Sequence, residues 1–294
     1  MPPKKLNVAP QGKTPVWTRR NADRHTLYQQ SVQSPSYEVF LLTRIFERHA
    51  GRKPQTLRED FCGTALLCAE WVKSKPTRTA TGLDIDVPTL DWGREKNLAT
   101  LGPPGERITL LEQNVLKKTA ASFEVICAFN YSYSIFKTRA LLRSYFEAAY
   151  ASLKPEGVLA LDGLGGWDAQ KTCRESRKLK GFTYVWEQAA FDPTTSDFLA
   201  HIHFEFPDGT KLNKAFTYDW RLWSIQELRE MMQEAGFVDI DVYWEGVDEK
   251  DEASGTFERV TKTTNDPAWN MYLVGKKRPA LRGSKDAKRT YPSK

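Results

Sequence analysis

Thr56-Leu57-Arg58-Glu59-Asp60-Phe61-Cys62-Gly63-Thr64-Ala65 decides the fold, because it passes from strand to turn to helix within one short run. Residues 56–60 read as a strand, Phe61-Cys62-Gly63 as the turn, and residues 64–73 as a helix. Working outward, the same unit recurs. Residues 79–84 give a second strand, and a helix follows from about Pro88 to Leu101, with the proline suited to its first turn. Gly102-Pro103-Pro104-Gly105 breaks the chain before a third strand at 107–111. Residues 123–129 are almost wholly apolar, as a strand buried on both faces should be. Leu141, Leu142, Tyr145, Phe146, Ala149, Tyr150 and Leu153 recur at helical spacing over 137–153, residues 154–157 end that helix, and a strand at 158–162 follows. Strands alternating with helices predict an α/β fold with a doubly wound, mostly parallel sheet of about seven strands.

Upstream, residues 21–53 look helical, with Val39, Phe40, Leu42, Ile45 and Phe46 as the apolar stripe. Downstream of 180 the pattern changes to strands at 182–188, 198–206 and 212–222, with Pro207-Asp208-Gly209 as a turn. Phe198, Ala200, Ile202, Phe204 and Phe206 alternate onto one face, and Leu212, Phe216, Tyr218, Trp220 and Leu222 do so on the next arm. This is a small antiparallel insertion. Ser224 and Glu227 then form a capping box, Leu228, Met231, Met232 and Ala235 line the inner face, and Gly236 stops the helix. Strands at 237–244 and 270–275 complete the sheet. The expected organisation is a basic tail (1–20), an N-terminal helical lid (21–55), a ligand-binding core (56–180), a substrate-side insertion (181–223), the C-terminal part of the core sheet (224–275) and a second basic tail (276–294).

Hydrophobic content of 40% and charged content of 27% are ordinary for a globular chain. The net charge of +6 lies in the ends: residues 21–275 hold 30 basic against 36 acidic residues. Such tails attract nucleic acid or an acidic surface, or simply solubilise the chain. No apolar run is long enough to span a bilayer, and no secretory leader is evident, so no membrane association is expected. Cys62, Cys68, Cys127 and Cys173 show neither metal spacing nor disulfide density, which fits a reducing cytoplasm.

Ligands of open α/β sheets bind beyond the carboxyl ends of the strands. Those ends carry residues 59–65, Gly82-Leu83-Asp84, Gln113-Asn114-Val115 and Phe129-Asn130-Tyr131. Asp84 can accept hydrogen bonds from both ribose hydroxyls, Gly63 permits close backbone approach, Asn114 can bond an adenine amino group, and Val115 or Ile85 can cover the ring.

In these motifs, over residues 56–162, the chain resembles the class I S-adenosylmethionine (SAM)-dependent methyltransferases, whose fold is Rossmann-like. The family's first motif is an acid followed by Gly-x-Gly-x-Gly. Glu59 takes the acid's place and Gly63 the middle glycine, while Phe61 and Ala65 replace the outer two. Glu-Asp-Phe-Cys-Gly-Thr resembles a variant of bacterial members, Asp84 matches the ribose-binding acid, Asn114 the adenine-contacting position, and Lys154-Pro155-Glu156-Gly157 the stretch before the fifth strand. The resemblance implies SAM as cofactor, held by Glu59, Phe61, Cys62, Gly63, Asp84, Ile85, Asn114, Val115, Phe129 and Asn130. A nicotinamide-binding domain is the rival, but its Gly-x-Gly-x-x-Gly turn is missing.

Methyl transfer needs alignment, water exclusion and sometimes a base. Asn130, Tyr133, Asp162 and Tyr28 are the catalytic candidates; each has a packing or turn-capping alternative. Asn130-Tyr131-Ser132-Tyr133 lacks the prolines of base-methylating enzymes. Residues 182–258 hold 17 Asp/Glu against five Lys/Arg, together with Tyr184, Trp186, Trp220, Trp223, Tyr243 and Trp244. Acids beside aromatic faces suit an amine acceptor, unless the aromatics are core and the acids a solvated face. His201-x-His203 projects two imidazoles from one strand face, but no third ligand is defined, so no metal is expected. The expected activity is in-line methyl transfer to a nitrogen or oxygen of a small acceptor. An RNA or protein methyltransferase recruited through the tails and a non-catalytic SAM-binding protein are the alternatives. A monomer or homodimer is expected.

Overall fold

A computed structural model describes residues 16–247 and 253–279. Most of both expected basic tails, residues 1–15 and 280–294, lies outside the described residues. The main sheet has eight strands in the order β11-β10-β12-β5-β4-β1-β2-β3. Five are parallel: β1 (Thr56–Asp60), β2 (Thr79–Asp84), β3 (Ile108–Glu112), β4 (Phe123–Ala128) and β5 (Leu153–Gly165). β12 (Trp269–Lys276) pairs antiparallel with both β5 and β10 (Val238–Val247), so β10 runs in the direction of β5. The expected count of about seven becomes eight because β11 (Ala253–Val260) pairs with β10 at the edge.

Helices cover both faces, as a mostly parallel sheet requires. On one face α2 (Pro35–Ala50) and α3 (Leu66–Ser74) bury Leu42, Phe46, Trp71 and Val72 against Leu57, Val125 and Ala160. On the other, α5 (Arg139–Ser152) and α6 (Ile225–Glu234) bury Leu142, Phe146, Met231 and Met232 against Ile126, Leu159 and Leu273. The α6 capping box is present in full.

A second sheet, β6 (Cys173–Leu179), β7 (Phe182–Asp192), β8 (Asp197–Glu205) and β9 (Lys211–Arg221), is antiparallel throughout. It starts at Cys173, inside the span expected for the core, because the charged run Arg174-Glu175-Ser176-Arg177-Lys178 forms an edge strand with no alternating apolar signature. Its inner face holds Phe182, Tyr184, Ile202 and Phe204, against which α1 (Arg24–Ser31) buries Leu27. Lys137 pairs with Asp197 and Asp219, and Arg221 donates to the Lys137 carbonyl. The sheet is thereby tied to the segment that follows β4.

Several local expectations need correction. The helical run 21–53 is two helices, because Pro35 starts α2 afresh after the Ser34 N-cap. Phe40 is 54% exposed and is not part of the core stripe; Leu41 takes that role. Leu141 on α5 is likewise exposed. The helix expected over 88–101 is regular only at α4 (Val87–Gly93), then widens into a π turn at Arg94–Leu98 and tightens into a 3-10 turn. There Gly93 lies against the Thr64 backbone and Asn97 Nδ2 donates to the Thr64 carbonyl. Residues 154–157 do not separate α5 from β5 but belong to β5, where the register shifts after the Phe123–Leu153 pair. β5 also runs past its expected end at 162 to Gly165, since β12 pairs with it over residues 158–165.

One buried ion pair fixes β1. Arg58 donates Nε and Nη2 to the two oxygens of Asp60 at 2.6 and 2.9 Å, and Tyr145 OH donates to Asp60 at 2.9 Å. Both charged side chains are fully buried, so removing one leaves the other uncompensated. Asp60→Ala is expected to cost about 3–5 kcal/mol in urea unfolding. Replacing Arg58 and Asp60 together with Met and Leu should return most of that loss.

Candidate functional site

The loop after β1 is built from left-handed residues at alternate positions: Phe61, Gly63 and Ala65 have φ of 55°, 51° and 55°. Glycine adopts that region freely, whereas each L-residue there costs roughly 1–2 kcal/mol. The backbone trace is therefore that of a three-glycine loop with two side chains added. Phe61 packs 5.9 Å from both Phe136 and Tyr145, and Ala65 is fully buried. Cys62 N–H donates to the Leu83 carbonyl, and its side chain is buried against Gly82.

Asp84 closes this loop. Its Oδ2 accepts from Gly63 N–H at 2.7 Å, while Oδ1 accepts from the N–H groups of Ile85 and Asp86 at 2.8 and 3.0 Å. Ile85 beside it is 66% exposed, an apolar flank facing solvent at the end of β2. Asn114 is exposed after β3 and caps its own turn, its Oδ1 accepting from Leu116 N–H at 2.9 Å. Val115 is buried against the α5 side of the core, and Phe129 is buried edge-on to Tyr272 at 5.3 Å.

A row of side chains, polar except for one phenylalanine, crosses the same end of the sheet. Leu57, Cys127, Ala160, Tyr272 and Tyr243 all point to the α2/α3 face. Strand alternation therefore places Glu59, Phe129, Asp162, Asn270 and Glu245 on that face too, at the carboxyl-end rim. In the strand order β10-β12-β5-β4-β1 they run Glu245, Asn270, Asp162, Phe129, Glu59. Among the described residues, Glu59, Asp84, Asp162 and Glu245 form no ion pair. Burial pushes the Glu59 carboxyl up to about 8, helped by the charges of Glu38 and Asp84 and opposed by Cys68 N–H, which donates to it at 3.0 Å. Burial also pushes Asp162 up to about 8, against two backbone donors, Asn130 N–H at 2.7 Å and Tyr131 N–H at 2.9 Å. Glu245 is raised by burial, with the Asn270 amide and the Gly255 N–H opposing.

Of the four catalytic candidates, two join this row. Asp162 is a member, and Asn130, left-handed at φ 57°, donates its N–H to it. Tyr28 stands opposite, on α1, 4.8 Å from Phe216 and sharing a hydrogen bond with Tyr218. Tyr133 does not join them: it is buried on the α5 side of the sheet. Tyr131 is left-handed at φ 59° and lies 6.4 Å from Trp220. With Tyr218 4.2 Å from Trp220 and 6.1 Å from Trp186, these rings make an aromatic wall on the second sheet. Sequence reading missed Glu245, Asn270 and Glu38. It also missed Gln29, whose Nε2 donates to Thr64 Oγ1 at 2.7 Å and ties α1 to the loop. The parity of β10 could have found Glu245, but the chain bulges between Val238 and Asp241, which breaks the alternation.

The histidine pair lies elsewhere. His203 Nδ1 accepts from Lys214 N–H, so Nε2–H donates to Glu187 at 2.9 Å, and His201 Nδ1 meets Thr217 Oγ1 at 3.0 Å. Both imidazoles sit on the side of β8 opposite Ile202 and Phe204, and no three-ligand metal cluster occurs among the described residues.

No protein-family model and no curated protein matches the chain. Solved structures do match it in fold. A SAM-dependent methyltransferase from Clostridium acetobutylicum superposes with a TM-score of 0.64 at 16% identity, covering 86% of this chain and 97% of that one. An amino pentose methyltransferase from Micromonospora echinaspora, solved with SAM bound, gives 0.62 at 14% identity over 86% and 95%. A sugar N-methyltransferase from Streptoalloteichus gives 0.57 at 16% identity over 92% and 100%. The chain therefore has the Rossmann-like methyltransferase fold, with its mostly parallel sheet and separate antiparallel sheet.

The raised carboxyls have a sign that stability measurements can read. Glu59 and Asp162 hold protons in the folded state up to about 8, whereas their ordinary values are 4.5 and 3.8. The folded state therefore binds more protons than the unfolded chain between those limits, and stability falls as pH rises through that window. The thermal midpoint of the ligand-free protein should drop between pH 5 and 8, and Glu59→Gln should flatten the drop.

Proposed function

We propose that this chain is a SAM-dependent methyltransferase that methylates an amine nitrogen on a small acceptor. The observation that carries the reading is the pairing of a three-glycine loop trace with a rim of carboxylates that form no ion pair among the described residues. A dinucleotide brings an anionic pyrophosphate, which needs free N–H groups and no nearby carboxylate. Here Asp84 occupies Gly63 N–H, and Glu59 sits beside α3. A sulfonium and an α-ammonium are cations, and the site meets them with acids. The fold neighbours include SAM-dependent sugar and glycopeptide N-methyltransferases, which supports the same choice.

In this reading Asp84 takes the ribose hydroxyls, Asn114 the adenine edge, and Ile85 covers the ring. Glu59 and the backbone of residues 61–65 receive the methionine end. SAM supplies a sulfonium methyl, which an amine lone pair takes by in-line displacement as the S–C bond breaks and S-adenosylhomocysteine leaves. Asp162 takes the proton that the nitrogen must shed, since a carboxyl held near 8 is matched to that task at neutral pH. Asn130 and Tyr131 N–H groups keep its oxygens aimed along the rim. Tyr28, Tyr218 and Trp220 exclude water and offer ring faces to a cationic nitrogen. Residues from α1 act as a lid through the Gln29–Thr64 bond. The acceptor is a small molecule. The four free cysteines suit a reducing compartment such as the cytoplasm, and no helix among the described residues is long and apolar enough to cross a membrane.

Calorimetric titration of the purified protein with SAM, S-adenosylhomocysteine and NAD tests the reading: the first two should bind and NAD should not. Binding of NAD alone would reverse it. Asp84→Asn removes the charge that strengthens the ribose hydrogen bonds and should weaken SAM about tenfold or more. Because the cation favours ionised Glu59 and Asp162, SAM affinity should rise with pH up to about 8, with proton release visible as a buffer-dependent enthalpy at pH 7.

A further inference from the structure

Two strands beyond Asp162 the rim carries a carboxylate that the proposed chemistry does not use. Glu245 is 8% exposed, and its Oε2 accepts from Asn270 Nδ2 at 2.9 Å. Its Oε1 is buried and makes no hydrogen bond. Asn270 Oδ1 in turn accepts from Tyr131 OH at 2.8 Å, and Tyr131 N–H is bound by Asp162. A continuous polar path thus joins Asp162, Tyr131, Asn270 and Glu245 along the carboxyl-end rim. It runs away from the loop at residues 61–65, so it belongs to the acceptor side rather than the donor side.

A carboxylate with one oxygen unbonded and out of water is costly unless a ligand supplies a partner. An uncharged hydroxyl would satisfy the hydrogen bond and leave the charge. A cation satisfies both. Among the described residues no Lys or Arg side chain pairs with this rim, so a ligand can supply the cation. Neighbouring strands lie about 4.8 Å apart, which puts the Glu245 and Asp162 positions on the order of 10 Å from each other. A molecule with two basic nitrogens at that separation can meet both acids.

We propose that Glu245 is the specificity-determining residue of the acceptor subsite and that the acceptor is dibasic, with one nitrogen methylated beside Asp162 and a second, protonated nitrogen held by Glu245. This rests on the methyltransferase reading and extends it from amine to diamine. Tyr131 and Asn270 hold the geometry: the Tyr131 ring lies against Trp220, and its hydroxyl fixes the Asn270 amide so that Nδ2 faces Glu245. The second nitrogen keeps its proton throughout, so no bond is made or broken at Glu245.

The test uses the full chain saturated with S-adenosylhomocysteine, titrated with α,ω-diamines of three to six carbons and with 1-aminobutane. At least one diamine should bind about tenfold or more tighter than the monoamine. Glu245→Gln should abolish that preference while leaving S-adenosylhomocysteine affinity unchanged, which also reports correct folding. Glu245→Asp, which keeps the charge on a shorter arm, should retain part of it. Equal affinity for mono- and diamines in the unaltered protein, or a preference that survives Glu245→Gln, would overturn the assignment. If S-adenosylhomocysteine itself fails to bind, the methyltransferase reading falls first and this inference with it. If it binds and the diamine preference is missing, only the assignment of Glu245 falls.

Discussion

The hydrogen bond from Gly63 N–H to the Asp84 carboxylate is the constraint on which the binding end of the molecule depends. It joins the loop after β1 to the tip of β2, and it holds the middle of three left-handed residues. Phe61 and Ala65 do not favour that conformation, and their cost of roughly 1–2 kcal/mol each must be offset by tertiary contacts. The contacts are present. Phe61 packs between Phe136 and Tyr145, Ala65 N–H donates to the Cys62 carbonyl, and Thr64 is held from both sides by Gln29 and Asn97. Gly93 lets α4 approach the Thr64 backbone so closely that an added Cβ would come within 2.6 Å of its carbonyl oxygen. A loop trace suited to glycine at three positions is held here by packing.

Charge is sorted by face. On the α5/α6 side of β1, Asp60 is fully compensated by Arg58 and Tyr145, and the group serves only to hold the strand. One residue earlier, on the α2/α3 side, Glu59 accepts from Cys68 N–H at 3.0 Å and forms no ion pair among the described residues. Adjacent acids on one strand therefore have opposite roles, set by what each face offers. Burial without compensation raises a carboxyl and makes the folded state less stable at neutral pH, whereas a bidentate arginine supplies the missing counter-charge.

Much of the architecture was legible. The first five strands and the loop at residues 61–65 follow from alternation, apolar runs and turn residues, and β2 spans Thr79–Asp84 as read. The strands at 173–179 and 253–260 were not legible, because they are edge strands that carry charge where central strands carry Val and Ile. The break in α4 was hidden too: Asn97 departs from helical spacing only because Thr64, far away in sequence, offers a carbonyl. In the candidate site, Glu59, Gly63, Asp84, Asn114 and Asp162 stood at strand ends and could be named from position alone. Glu245 and Asn270 could not, since their relation to Asp162 is made by two antiparallel pairings near the end of the chain.

The second sheet and α1 explain why the acids stay buried once the fold is complete. The rim of an open α/β sheet faces water, and carboxylates there would ordinarily be solvated. Here Leu27 and Tyr28 of α1 pack into the inner face of the second sheet, and the Lys137 pairs with Asp197 and Asp219 hold that sheet against the segment following β4. The rings of Tyr218 and Trp220 then stand near Tyr131 in place of solvent. Lower polarity raises the acids, and the same lower polarity strengthens their attraction for any cation that enters. Exclusion of water and selection for positive charge are thus one physical effect, produced by attaching an aromatic sheet to the acidic rim.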